Sequence, residues 1–283
     1  MREIVQERIG NMLVDTHTHV NFNAFKEDGD RVIRRSLDSS VWMINVGSQA
    51  STSARAVKIA EKYEKGVYAA VGLHPIHLWE SYHDFSELSF KTQAEELEVD
   101  FYKNLAASKK VVAIGEIGLD YYHLPKDRAD ELKKKQKEVL IKQIELAQEL
   151  DLPVIFHCRD AYEDLLEIIK KMPKISRGVL HCFADTMETA EKFLKFDFMV
   201  SFTGIITYPK AESVREVARK VPLEKIMIET DAPYLAPQQV RGQRNEPIYV
   251  KYVAEEIARV RGLSFDEVAK ATTENAIKFF RLK

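Results

Sequence analysis

Eight strand-sized runs of apolar and β-branched residues recur along the chain, near positions 11–15, 41–47, 67–73, 111–115, 153–158, 178–182, 197–202 and 225–230. Helical periodicity fills most of the gaps, over Ala54 to Tyr63, Leu132 to Leu150, Tyr162 to Lys171, Met187 to Phe196 and Ser213 to Val221. Parallel strands need long crossovers, so this alternation predicts a parallel sheet covered by helices. Eight repeats close such a sheet into a (β/α)₈ barrel, and 283 residues is an ordinary length for one. No Pro-, Gly- or Ser-rich linker divides the sequence, which therefore reads as a single domain over residues 1–283 with its core from about 11 onward. From Pro247 to Lys283 the chain adds helix without a further strand, and Ser264-Phe265-Asp266-Glu267 has the spacing of a capping box. The segment from Trp79 to Asp100 is longer than a tight connection needs; its aromatics and acids predict a rim loop followed by helix.

At five places a histidine or carboxylate stands at the carboxyl end of an apolar run. They are Met12-Leu13-Val14-Asp15-Thr16-His17-Thr18-His19, Val111-Val112-Ala113-Ile114-Gly115-Glu116, Val154-Ile155-Phe156-His157, Val179-Leu180-His181 and Ile226-Met227-Ile228-Glu229-Thr230-Asp231. Barrel enzymes gather their active sites at that end of the strands. Imidazole suits zinc, manganese or iron and carboxylate also accepts magnesium, so the set reads as a hydrolytic metal centre assembled from distant segments. His17 and His19 are two apart, and an extended backbone sends both rings to one side. Glu116 ends an apolar strand where a charge is costly without a counter-charge, which a metal pair would supply. Arg159 shares the face of His157, where a guanidinium could hold a phosphate. Glu229 shares the face of Asp231 and is expected to pair with Arg159 or Arg244.

Composition narrows the remaining classes. A formal net charge of −2 gives no overall attraction for nucleic acid but leaves room for a local one. The clusters Arg31-Arg34-Arg35 and Lys133-Lys134-Lys135 alternate with acids, as solvated helix faces do; Arg241 and Arg244, in the loop after Asp231, are better placed for phosphate. Residues Met1 to Arg8 carry acids and no apolar signal core, and no run is long enough to span a membrane, so a cytoplasmic protein is expected. Cys158 and Cys182 each follow a proposed histidine ligand; alternation turns them away from the site, as buried free thiols.

Asp15-Thr16-His17-Thr18-His19, Val71-Gly72-Leu73-His74-Pro75, Gly115-Glu116-Ile117-Gly118-Leu119-Asp120-Tyr121, Phe156-His157-Cys158-Arg159, His181-Cys182-Phe183, Ser201-Phe202-Thr203-Gly204 and Glu229-Thr230-Asp231-Ala232-Pro233-Tyr234-Leu235 occur in that order. Together they resemble the motifs of the TatD family of metal-dependent deoxyribonucleases, within the amidohydrolase superfamily. The resemblance implies that His17, His19, Glu116, His157, His181 and Asp231 bind two divalent ions (Mg, Mn or Zn), with Glu116 bridging, and that His74 contacts substrate phosphate. Cys158 and Ala184-Asp185 depart from the common pattern at positions that leave these ligands intact.

The expected function is a phosphodiesterase acting on DNA ends or single strands, with 3′ to 5′ polarity implied by the resemblance alone. Water activated by the metal pair would attack phosphorus, Asp231 accepting its proton while Arg159 and His74 steady the phosphate. The same ligands could hydrolyse an ester or amide, such as mischarged tRNA, or the fold could keep metal only as a binding protein. No membrane and no obligatory protein partner are expected.

Overall fold

Every apolar run predicted as a strand forms one in the computed structural model, which describes residues 12–84, 89–92, 94–172 and 177–283. The first half of the chain runs β1 (Leu13–Thr18), α1 (Gly29–Asp38), β2 (Val41–Val46), α2 (Ala50–Ala60), β3 (Val67–Val71), β4 (Ser81–Asp84), β5 (Ser89–Thr92), α3 (Val99–Leu105), β6 (Val111–Asp120) and α4 (Ala129–Glu149). The second half runs β7 (Val154–Arg159), α5 (Tyr162–Lys171), β8 (Gly178–Leu180), α6 (Met187–Leu194), β9 (Met199–Phe202), α7 (Glu212–Lys220), β10 (Ile226–Ile228), α8 (Val250–Arg261) and α9 (Phe265–Phe280). Strands β1-β2-β3-β6-β7-β8-β9-β10 lie side by side in one sheet, and the pairings between them are parallel. This is the (β/α)₈ barrel that the alternation predicts.

The two faces of each strand build two apolar layers, as a period of two requires. Val14, Ile44, Val46, Tyr68, Val112, Ile155, Val179, Met199 and Met227 form one cluster, which continues into Ala276, Phe279 and Phe280 of α9. Met43, Val71, Ile114, Phe156, Leu180 and Val200 belong to the other, packed with helix residues such as Ala56, Leu140, Leu165 and Ile257. Helix α9 is capped by Ser264 and Glu267 in the predicted box, and Asn275 on it donates to the carbonyls of Leu223 and Ile226 at the start of β10. It therefore packs at the amino ends of the strands, leaving the carboxyl ends open.

The barrel is joined between its first and last strands by polar contacts. The buried Asp15 carboxylate accepts from the Thr230 backbone N–H at 2.9 Å and its hydroxyl at 2.5 Å. Just beyond, Asp231 N–H donates to the His17 carbonyl and His19 N–H to the Ala232 carbonyl. Burial pushes the Asp15 carboxyl well above the usual range, opposed by the Thr230 bonds.

Several boundaries differ from those read in the sequence. Helix α2 begins at Ala50 rather than Ala54, because Gln49 and Thr52 cap it through a stretch too polar to show apolar periodicity. Strand β6 continues past the apolar run to Asp120. The segment from Trp79 to Asp100 contains the antiparallel pair β4–β5 ahead of α3, not a plain rim loop; residues 85–88 and 93 of it, and the amino-terminal stretch Met1 to Arg8, lie outside the described residues. Of the basic clusters, Arg34 pairs with Asp30 and Lys135 with Glu96 at the surface, whereas Arg35 reaches the largely buried Glu246. Among the described residues no helix is long and apolar enough to cross a membrane.

The extension of β6 depends on Gly118. It pairs in register with His157, has φ +156°, and a Cβ there would stand 1.8 Å from the His157 carbonyl oxygen. A side chain must therefore push β6 and β7 apart. Gly118→Ala is expected to destabilise the fold by about 3 kcal/mol or more, measured as a lowered midpoint in denaturant; an unchanged midpoint would show that the two strands tolerate separation.

Candidate metal centre

The carboxyl ends of five strands deliver the site. His17 lies within β1 and His19 one residue beyond it; Glu116 lies within β6 and His157 within β7, while His181 follows β8 and Asp231 stands three residues past β10. Glu116 is the meeting point. Its carboxylate lies 2.9 Å from His157 Nδ1, 3.2 Å from His181 Nε2, and 3.4 Å from both His17 Nε2 and His74 Nε2. Asp231 Oδ1 faces His19 Nε2 at 3.2 Å and His17 Nε2 at 3.7 Å. Three sets of potential ligand atoms result: His17, His19 and Asp231; His17, Glu116 and His181; His74, Glu116 and His157.

Hydrogen bonds on the far side of His19, His181 and His157 decide which nitrogen of each faces inward. His19 Nδ1 stands 2.8 Å from the Val46 carbonyl, which can only accept, so Nδ1 carries hydrogen. In the neutral ring Nε2 then offers a lone pair toward the Asp231 carboxylate, two acceptors face to face. His181 repeats the arrangement, with Nδ1 2.8 Å from Glu229 Oε1 and Nε2 against Glu116. His157 is turned the other way: Nε2 donates to Asp120 Oδ2 at 3.0 Å and Nδ1 meets Glu116. Acceptors this close are stable only with a cation between them, either protons on the rings or a divalent metal. The donor set fits the metal.

The electrostatics agree. Burial favours neutral His181, yet Glu116 and Glu229 on either side raise its pKa well above the ordinary value. Burial likewise opposes charge on His157, but bonds to Asp120 and Glu116 lift it to about 9. Glu116 is driven up by burial and pulled further down by His181, His74 and His17, to well below the carboxylate range. His74 is the exception. Its Nδ1 accepts from the Ile76 N–H at 3.1 Å, and burial lowers it to about 4 against the attraction of Glu116. The Ile76 bond leaves the hydrogen of the neutral ring on Nε2, the nitrogen that also completes the third set of potential ligand atoms.

Other expected contacts fall differently. Glu229 pairs with neither Arg159 nor Arg244; it accepts from His181 Nδ1 and, at 2.6 Å, from the Cys182 backbone N–H. Arg244 is held by Asp28 and Glu246, donates to the Ala24 carbonyl and lies over the Phe25 ring. Two carboxylates already share its charge, and these bonds tie loops together. Arg159 is exposed and lies over the Tyr122 ring. Cys158 packs against the apolar layer beneath the helices. Cys182 takes a left-handed φ of 47° and contacts the Thr203 hydroxyl, its thiol pushed up to about 12 by burial.

Two positioning residues escaped the sequence reading, Asp120 and Gln143. Asp120 is buried, orients His157 and also accepts from His123 Nδ1 at 2.8 Å. Its parity with Glu116 along one strand was the available signal, hidden because the apolar run stops at Glu116. Gln143, on α4, bonds both the N–H and the carbonyl of Leu73 and thereby sets His74; nothing local in the sequence marks it.

A family model described as TatD related DNase matches residues 14–281. The chain belongs to the TatD family. The metal-dependent hydrolase YabD of Bacillus subtilis, itself uncharacterized, is 41% identical over 275 residues, covering 96% of this chain and 100% of its own. The 3′-5′ ssDNA/RNA exonuclease TatD of Erwinia tasmaniensis is 32% identical over 277 residues, covering 95% of this chain and 100% of its own. Among solved structures, the TatD homolog YjjV of Escherichia coli K12 matches with a TM-score of 0.82 at 32% identity, covering 97% of this chain and 100% of that one. This TatD-family protein is a metal-dependent hydrolase.

If Glu229 keeps His181 Nε2 aimed inward, Glu229→Ala should lower divalent-ion affinity by about 10- to 100-fold with the fold retained. Calorimetric metal titration alongside circular dichroism reads both. Unchanged affinity would assign Glu229 to the Cys182 turn alone.

Proposed function

We propose that this TatD-family hydrolase cleaves phosphodiester bonds at the 3′ ends of single-stranded DNA, using two divalent ions. The observation that carries the reading is the position of Glu116, one carboxylate within 3.4 Å of four imidazoles. His17, His19 and Asp231 would hold one ion, Glu116, His157 and His181 the other, with Glu116 shared. The name of the Erwinia relative, an exonuclease on single strands, supports the substrate. Magnesium, manganese or zinc would supply Lewis acidity and lower the pKa of water.

The protein's own groups then have separate tasks. Asp231, with 15% of its side chain open to solvent, accepts a proton from the attacking water on its carboxylate. His74 donates its Nε2–H to a phosphoryl oxygen, held in the right tautomer by the Ile76 N–H. The Arg159 guanidinium, which has no carboxylate partner among the described residues, offers in-plane donors to the phosphate. Glu116, buried among imidazoles, keeps the two halves of the site at a constant separation.

Strands labelled at each end should give a ladder shortening from the 3′ end, with covalently closed circles cut poorly. Mischarged tRNA and simple esters belong in the same assay; rapid circle nicking, or turnover of esters in place of DNA, would overturn the reading.

Asp231→Asn keeps nearly the same shape with a far weaker base. Turnover is expected to fall ~10²-fold or more while the fold and much of the bound metal remain, as read by steady-state kinetics and metal analysis. A near wild-type rate with both ions bound would move proton transfer to another group.

A further inference from the structure

Most large apolar side chains in the barrel are buried, and Tyr122 is the most open exception among the described residues, at 60% exposed against 38% for Phe101 and 36% for Phe196. It stands two residues past the end of β6, immediately after Tyr121, whose N–H extends the ladder by donating to the Arg159 carbonyl. The Arg159 guanidinium lies 3.8 Å from the centroid of the Tyr122 ring. On its other side in sequence, His123 packs edge-to-face with Tyr122, 4.9 Å between ring centroids, and bonds Asp120, which orients His157. The exposed ring is thus linked through two side chains to a proposed metal ligand.

Position and chemistry both bear on its use. From His157 to Arg159 is two residues of strand, a rise of about 7 Å, so the Tyr122–Arg159 pair stands one storey above the ligand layer, at the rim. An exposed aromatic ring stacked with a guanidinium offers a π-face and a cation together, the combination that receives unpaired nucleobases beside a phosphate backbone. A ring exposed merely by chance would need neither the stacked arginine nor the path through His123 and Asp120 to the site.

We infer that Tyr122, braced by Arg159, is a stacking platform for the nucleobase next to the scissile phosphate. This rests on the single-strand reading above and deepens it. A base inside a duplex is already stacked and paired and must be freed before it can lie on Tyr122, so the platform itself selects unpaired ends. Because every base has a π-face, the selection is for strand state rather than sequence. Arg159 serves both parts, its plane against Tyr122 and its edge toward the phosphate.

The test uses metal-loaded full-length protein carrying Asp231→Asn to suppress turnover, with binding read by fluorescence anisotropy. The probes are single-stranded oligonucleotides with a natural 3′ end, with an abasic residue at the terminal position, or with one at the penultimate position. One of the two abasic strands is expected to bind about tenfold more weakly than the natural strand. Adding Tyr122→Ala should erase that difference, and Tyr122→Phe or Tyr122→Trp should restore it. Equal binding of natural and abasic strands overturns the platform. So does a Tyr122→Ala variant that weakens all three strands alike, which is what a role confined to bracing Arg159 would produce. Protein with Asp231 intact, given the natural strand, tests the parent reading separately: failure to cut a strand that it binds in this base-dependent way would remove the nuclease activity and leave the platform.

Discussion

Glu116 can be buried in this barrel only because imidazoles surround its carboxylate. Desolvating a lone carboxylate is prohibitive, and β6 carries Glu116 into the layer just above the barrel's apolar filling. His17, His74, His157 and His181 answer it from four other segments, each with an inward nitrogen near its oxygens. The barrel supplies this convergence, since the parallel strands of one curled sheet, whose first and last strands are joined by the Asp15–Thr230 bonds, all end at the same rim. Remove the closure and the same residues would be scattered over the chain.

Around this centre outer hydrogen bonds set which atom His19, His181, His157 and His74 present. The Val46 carbonyl fixes His19, Glu229 fixes His181, Asp120 fixes His157 and the Ile76 N–H fixes His74. The first three leave a nitrogen that suits a cation; the last leaves a hydrogen that suits an anion. A ring of potential metal ligands with one hydrogen-bearing nitrogen among them suits the proposed binding of a phosphate beside metal ions. Asp15 contributes at a distance, since its bonds to Thr230 join β1 to the segment carrying Asp231.

Much of this was readable along the chain, for identifiable reasons. A strand that is buried on both faces must be apolar, so a histidine or carboxylate at its end stands out, as His157 does after Val154-Ile155-Phe156. Asp120 lacked that contrast, sitting beyond Gly118 where the apolar run had already ended. The partner of Glu229 was misread because two arginines offered it charge in sequence, whereas His181 approaches it only across the barrel mouth. The partners of Arg244 were equally hidden: Asp28 and Glu246 come from the segment before α1 and the start of the last helical region. The β4–β5 pair was invisible to a reading that looks for apolar alternation, since that segment is rich in polar and charged residues.

The sequence by itself determined the barrel, the order of its elements and the types of ligand at the strand ends, because hydrophobic period and strand-end chemistry are local properties of the chain. Tertiary structure alone decided which nitrogen of His19, His157 and His181 faces inward, that His74 accepts from Ile76, that Glu229 serves His181, and that Arg159 lies on Tyr122. These depend on which atoms the fold brings together, between residues up to 48 positions apart, and hydrogen-bond direction is set by the partner, not by the residue.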